Sequence, residues 1–257
     1  MTIHRSGRAF GCGLLALTLT LAAQAHAVDG VIEINQARAD KGGVTPGDTP
    51  GFPITLSASP LSSEPTSFRL TGSLFNSTTN NVIEIVSPHV TLDLNGFTIG
   101  CMNPPCAGSA IQSTEVNVAV TNGTVRGFAF GVNLAGPGAR VENVRAHNNT
   151  TGLSVGSNCL VRNNVVTGSG VEGILVQSDC NVIGNIANNG SGDGICTHGA
   201  SNVIGNTVTG NNGFGLNLSD NTGYSQNVVT GGPFPGGTVK KGVSAGLNVC
   251  NGNPTCP

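Results

Sequence analysis

Glu172 and Asp193 are two carboxylates 21 residues apart, and each sits directly before a glycine, Gly173 or Gly194. His198 follows Asp193 by five residues in the segment GDGICTHG. If a 21-residue step brings residues side by side, the two acids would repel, raise one pKa and share acid–base work, or hold Ca2+ together. Carboxyl groups about 5 Å apart would suit a retaining glycosidase rather than an inverting one. The plainer reading is a pair of solvated acids on a corner. Phe130 and Phe214 fall on the same step, so one line runs Phe130, Thr151, Glu172, Asp193, Phe214. An acidic centre flanked by aromatic rings is a surface on which sugars can sit. Asp179 and Asp220 lie at neighbouring junctions, and with His198 they make this the part of the chain densest in ionisable groups. The set requires no cofactor and contains no metal motif; Ca2+ is the ion it would suit.

The step itself comes from a repeat. Asn122, Asn143, Asn164, Asn185, Asn206, Asn227 and Asn248 are each 21 residues apart. Asn95 joins them if Cys101 to Cys106 is an insertion of six. Gly131, Gly152, Gly173, Gly194 and Gly215 keep the same period, each followed by Val, Leu or Ile. A fixed period marks a repeat architecture. In the segment from Ser201 to Asp220, Val203, Val208, Leu216 and Leu218 can point inward from short strands, while Gly205, Asn211, Asn212 and Gly213 supply corners. The preceding segment repeats the plan with Val182, Ile186, Ile195 and Thr197. One such unit cannot bury its apolar face, but stacked copies bury a continuous core. Twenty-one residues are too many for a six-residue left-handed repeat, and the leucine density of leucine-rich repeats is missing. The expected fold is all-β: a single-stranded right-handed parallel β-helix of about 21 residues per coil with capped ends. The seven Asn are expected to form an inward corner ladder with amides bonded along the axis.

Composition and termini set the compartment. Residues 1–27 have the form of a secretory signal: a basic start at His4, Arg5 and Arg8, an apolar stretch from Leu14 to Ala23, and Ala25-His26-Ala27 for cleavage. Nothing is long and apolar enough for a membrane span. Residues 28–72 break the period and serve as an N-terminal cap with irregular first coils. Residues 73–236 carry the β-helix, and 237–257, with a Cys loop, close the other end. Cys101 with Cys106 and Cys250 with Cys256 look like local staples. Cys159 and Cys180 would stack on adjacent coils at a spacing a disulfide tolerates. Cys196 is left unpaired. Net charge is −2 and 9% of residues are charged, so there is no basic footprint for nucleic acid. A secreted or periplasmic protein is expected.

The segment NVIGNTVTGNNGFGL at 202–216, echoed at 181–195, resembles the parallel β-helix repeat of the pectin-lyase-like superfamily. VTLDLNGFTI at 90–99 resembles the opening coil of exported bacterial right-handed parallel β-helix proteins of unknown activity. The resemblance implies the fold over most of residues 70–236 and a range of activities, from polysaccharide lyases and hydrolases to inert solenoids. Polygalacturonases of that superfamily use Asp residues and a Gly-His-Gly segment. Thr197-His198-Gly199 matches only its last two residues, and the family's Asp-Asp pair and Arg-Ile-Lys are absent. A pectate-lyase reading would draw its cation from Arg126, Arg140, Arg145 or Arg162. Three functions stay open: polysaccharide or cell-surface glycan binding or processing along the Glu172–Asp193 line; a non-catalytic structural or adhesive solenoid; and a metal-handling periplasmic protein akin to the β-helix accessory proteins of copper enzymes. Five His, of which only His89, His147 and His198 lie beyond the signal segment, and scattered Cys argue against the third.

Overall fold

The computed structural model describes residues 30–58, 66–77, 79–232, 237–254 and 256. The signal segment 1–27, Pro233 and Pro235 lie outside the described residues. The chain winds from Val31 to Cys250 as a parallel β-solenoid of about nine turns. A nine-stranded sheet takes one strand per turn, and a seventeen-stranded sheet takes two strands per turn, bent around a corner. The 21-residue step appears directly in the register, with Leu153 beside Ile174, Ile195 and Leu216 in turn. Val161, Val182 and Val203 make a second fully buried column. Val166, Ala187, Val208 and Val229 make a third, and the three meet along the axis. Burying apolar surface at about 25 cal/mol per Å² makes these stacked columns the main source of stability. Ile186, expected inside, faces out and is 38% exposed, while its neighbour Ala187 is fully buried. Asn185 already turns in at the preceding corner, so the two-residue alternation puts Ala187 rather than Ile186 in the core.

The corner next to these strands follows one rule. A residue in the left-handed region is followed by a residue that turns inward. Asn122, Asn143, Asn163, Gly184 and Gly205 have φ between 56° and 66°, the conformation that Gly and Asn adopt most readily. The residues that follow are Gly123, Val144, Asn164, Asn185 and Asn206. From Asn164 onward the inward positions form a buried amide ladder. Asn185 Oδ1 accepts the backbone N–H of Asn164 at 2.9 Å and its side-chain amide at 3.0 Å, and the same pair of bonds recurs to Asn206, Asn227 and Asn248. Each amide also donates to a carbonyl 23 or 24 residues earlier, for example Asn164 to Val141 and Asn206 to Val182, both at 2.9 Å.

Asn122 and Asn143 do not belong to this ladder. Both are exposed, and Asn143 donates to Asn122 at 3.3 Å on the outside of the corner. Arg140 pairs with Leu160 and Arg145 with Val165, a step of 20 at this turn. The loop after Val155 is one residue shorter than the loop after Leu134. Counting 21 from Asn143 therefore lands on Asn164, whereas its structural counterpart is Asn163. The seven-fold Asn register is two columns, one outward and one inward.

The glycine column has a packing cause. A Cβ on Gly173 would lie 2.5 Å from the carbonyl oxygen of Gly194, and one on Gly152 would meet Gly173 in the same way at 2.6 Å. Adjacent turns approach too closely for any side chain there. Disulfides join Cys101 to Cys106, Cys159 to Cys180 and Cys250 to Cys256, and Cys196 is a free, buried thiol. Within the segment VIEINQARAD, the strand Val31–Ile34 pairs with Ser67–Leu70, and the helix Gln36–Lys41 follows with Asn35 as its cap. Ile34 and Ala39 are buried at that end.

Candidate functional site

The outer face of the nine-stranded sheet carries the acidic line. Phe130 stacks beside Thr151 and Glu172 beside Asp193. Thr151 Oγ1 donates to Glu172 Oε2 at 3.1 Å, which joins the two pairs. Asp193 is held at both oxygens: the Phe214 N–H donates to Oδ1 at 2.7 Å, and the Asn217 amide donates to Oδ2 at 2.6 Å. In the strand Glu172–Val176, Gly173 and Ile174 are both buried, so Glu172 and Leu175 are the residues left on the outside. Three residues further along each strand runs a companion column of Asn133, Ser154, Leu175, Cys196, Asn217 and Lys240. Lys240 Nζ lies 5.4 Å from the centre of the Phe214 ring, within cation–π range. The Cys196 thiol is pushed up to about 11, first by burial, then by the charges of Asp193 and Glu172, with Lys240 opposing. The carboxylates, the thiol and the ammonium thus belong to one electrostatic neighbourhood.

Cys196, Asn217 and Lys240 were not among the expected site residues. Cys196 and Asn217 could have been found by applying the 21-residue step to the residues three places after Glu172 and Asp193. Lys240 could not, because it stacks on Asn217 across a 23-residue step.

Other expected residues lie apart from this face. His198 is exposed beyond the inward-facing Thr197, and its Nδ1 sits 3.4 Å from the Gln177 amide on the next turn, in a separate column. Asp179 has φ 61° and occupies a corner, where its backbone N–H donates to the Ala200 carbonyl at 2.5 Å. Asp220 is exposed and paired with Lys241 at 3.2 Å. Arg162 pairs with Glu142 at 2.7 Å, and Arg145 Nε donates to Thr124 at 3.1 Å, both on the seventeen-stranded sheet. Two shallow depressions of about 340 and 400 Å3 follow a corner lined by Asn117, Arg140, Asn158, Asn181 and Asn202, away from the carboxylates.

Chemically, the face is a row of hydrogen-bonding groups bounded by Phe rings. Asp193 spends both oxygens on holding Phe214 and Asn217, which leaves it poorly placed to shuttle a proton. The described histidines sit on separate turns: His89 at a corner 3.3 Å from the Asn117 amide, His147 in the strand Arg140–His147, and His198 after the strand Asp193–Thr197. Among the described residues no three His, Cys, Asp or Glu side chains converge, and no helix is long and apolar enough to cross a membrane.

A family model described as "Periplasmic copper-binding protein (NosD)" matches residues 95–246, more than half of the chain. The chain belongs to the NosD family. That family consists of right-handed β-helices, in agreement with the expected fold. Family and disulfides together fit an extracytoplasmic protein. No curated protein matches. Among solved structures, the Dettilon tailspike protein (gp208) is similar at 16% identity and a TM-score of 0.48, over 73% of this chain and 52% of that one. The NosD-family chain thus spans about half the length of that tailspike.

Proposed function

We propose that this chain is an exported, polysaccharide-binding β-solenoid that engages its ligand along the outer face of the nine-stranded sheet without cleaving it. One observation carries the reading: Phe130, Thr151, Glu172, Asp193 and Phe214 form one line, beside a second line of Asn133, Ser154, Leu175, Cys196, Asn217 and Lys240. The Phe214 ring, held from one side by the Asp193 bond to its backbone and faced by Lys240, offers an apolar platform for the C–H face of a sugar. Glu172 and Asn217 supply acceptors and donors for hydroxyls, with the buried Thr151 hydroxyl orienting Glu172. Residues 1–27 would direct export. The family's printed name refers to copper, but the donors here do not fit a resident copper ion. Among the described residues the histidines are dispersed, and the one free thiol, Cys196, is held protonated by burial and by two carboxylates, whereas copper binding calls for convergent imidazole or thiolate ligands. No step is therefore assigned to a metal. The carboxylate pair alone likewise falls short of the six to eight oxygens that Ca2+ takes.

The test is a glycan array and a uronate-cleavage assay on the purified protein with Glu172→Gln and Phe214→Ala. Binding by the native protein, weakened in both variants at an unchanged melting temperature, is the expected result. Cleavage abolished by Glu172→Gln would make the protein an enzyme. Blank results in both assays would leave a structural or adhesive solenoid.

A further inference from the structure

On the seventeen-stranded sheet, the strands Ala119–Arg126 and Arg140–His147 bring three basic groups together. His147 pairs with Arg126, and Arg145 pairs with Thr124. Val125 and Ala146 between them are fully buried, so Arg126, Arg145 and His147 share the outward face. Neighbours on adjacent turns stand about 4.8 Å apart, and residues two apart on a strand about 6.6 Å. Phe75 and Gly100 continue the Arg126 column over the two preceding turns. A Cβ on Gly100 would lie 3.0 Å from the Phe75 ring and 3.5 Å from the Arg126 guanidinium carbon. The glycine thus leaves the space in which Arg126 lies over that ring, 6.0 Å from its centre. Arg145 leans the same way, its Nε donating to Thr124 Oγ1 at 3.1 Å. Both side chains are positioned by neutral partners, with the remaining N–H groups of each fork unspent.

No carboxylate balances these charges. Among the described residues Arg69, Arg162 and Lys241 each pair with an acid, whereas Arg126 and Arg145 pair with none. Their column neighbours Phe75, Thr98, Gly100, Thr124, Val165 and Thr167 are all neutral. Glu142, the carboxylate nearest to Arg145 in sequence, is already held by Arg162 at 2.7 Å. His147 is faced by Arg126 on one side and by the neutral Thr167 on the other, and its pKa is lowered by burial and then by Arg145. In a chain of net charge −2, this is a local surplus of positive charge that an anion would relieve.

We propose that the Arg126–Arg145–His147 cluster is a binding site for a phosphate monoester. A carboxylate presents two oxygens and one charge, which a single Arg fork satisfies. A phosphate monoester carries about −1.5 to −2 and three acceptor oxygens, which match two guanidinium forks and an imidazole that gains its proton beside the dianion. Phe75, 40% exposed at the end of the column, stands where the organic part of the ester would rest. The disulfide-closed loop from Cys101 to Cys106 bounds the site, because a Cβ on Gly127, next to Arg126, would lie 3.1 Å from the Cys101 Cβ. Three cations are too few for the phosphate contacts of a nucleic-acid strand.

The experiment is titration with inorganic phosphate at fixed ionic strength, read by calorimetry and by the imidazole NMR signals of His147. It compares the native chain, Arg126→Gln, Arg145→Gln and Arg140→Gln, the last removing the same charge from an exposed position earlier on the strand. Phosphate is expected to bind the native chain and Arg140→Gln alike and to raise the His147 pKa in both. Arg126→Gln and Arg145→Gln are expected to bind about tenfold more weakly or worse, with circular dichroism and melting unchanged. If one of these fails to fold, the other carries the comparison. Glucose 6-phosphate and phosphatidylcholine vesicles containing phosphatidic acid then separate a soluble ester from a lipid headgroup. Binding of either one, lost in the same variants, supports the proposal, and binding of neither overturns it. Phosphate that binds no better than chloride, or equally to all four proteins, would also overturn it. Glu172 lies on the other sheet, so Glu172→Gln should keep phosphate binding, and failure of the glycan reading and failure of this one are separable.

Discussion

Asn206→Ala tests the ladder most directly. Asn206 Oδ1 accepts two bonds from Asn185, at 2.8 and 3.0 Å, and its amide donates to Val182 O at 2.9 Å and to Asn227 Oδ1 at 3.0 Å. Alanine would leave the Asn185 N–H, one Asn185 amide proton and the Val182 carbonyl without their partners in a fully buried corner. Each such group costs about 1–3 kcal/mol, and water entering the vacated space recovers part of that, so the expected loss is about 3–5 kcal/mol. This is a large share of the roughly 5–15 kcal/mol by which a domain is stable. The control is Asn143→Gly. Asn143 is exposed in the left-handed column where Gly184 and Gly205 already stand, so the change should stay within about 0.5 kcal/mol. Urea unfolding followed by far-ultraviolet circular dichroism gives both values. Hydrogen exchange at Asn185 and its neighbours shows whether the loss is confined to adjacent turns, as expected for a stacked repeat. Equal losses for the two variants, or a loss below about 1 kcal/mol for Asn206→Ala, would refute the division of the Asn register into a load on the inside and a turn residue on the outside.

Three further outcomes follow from particular residues. Cys196, held protonated to about 11 against an ordinary 9.0, should react with iodoacetamide at pH 8 on the order of 100-fold more slowly than a free thiol, and in protein prepared without residues 1–27, which carry Cys12, one thiol per chain should appear only in denaturant; three would mean that a disulfide is open. His147 has its pKa lowered by burial and then by Arg145, so the unfolded chain binds the proton more readily. Stability is therefore full above the unfolded pKa of about 6.5 and falls as the pH drops below it, and His147→Gln should flatten the melting-temperature profile between pH 7.5 and 5. Gly173→Ala would place a Cβ 2.5 Å from Gly194 O and should destabilise by about 1–3 kcal/mol, measurable as a lower urea midpoint, whereas Gly205→Ala has open space and should cost only the left-handed conformation, about 1–2 kcal/mol.

The glycine and aliphatic columns were legible in the sequence because each obeys one physical constraint at every turn: no room for a Cβ, or full burial. The Asn column was legible only as a count, since Asn meets two different constraints. It tolerates the left-handed region, and it satisfies buried backbone groups with its amide. At Asn143 the first applies and at Asn164 the second, and one shortened loop places these adjacent roles a full 21 residues apart. A period in sequence fixes register only while every loop keeps its length. The carboxylate line keeps its register because the nine-stranded sheet steps by 21 from Phe130 to Leu216, while Lys240, on the same sheet, follows a loop that lengthens the step to 23. What periodicity could not carry was orientation within a turn. His198 follows Asp193 closely in sequence, yet the inward Thr197 separates them, and Asp179 stands at a corner because its backbone, not its carboxylate, is what the turn requires. Proximity in a solenoid is decided by which column a residue occupies, so residues 21 apart can share a site that residues five apart do not.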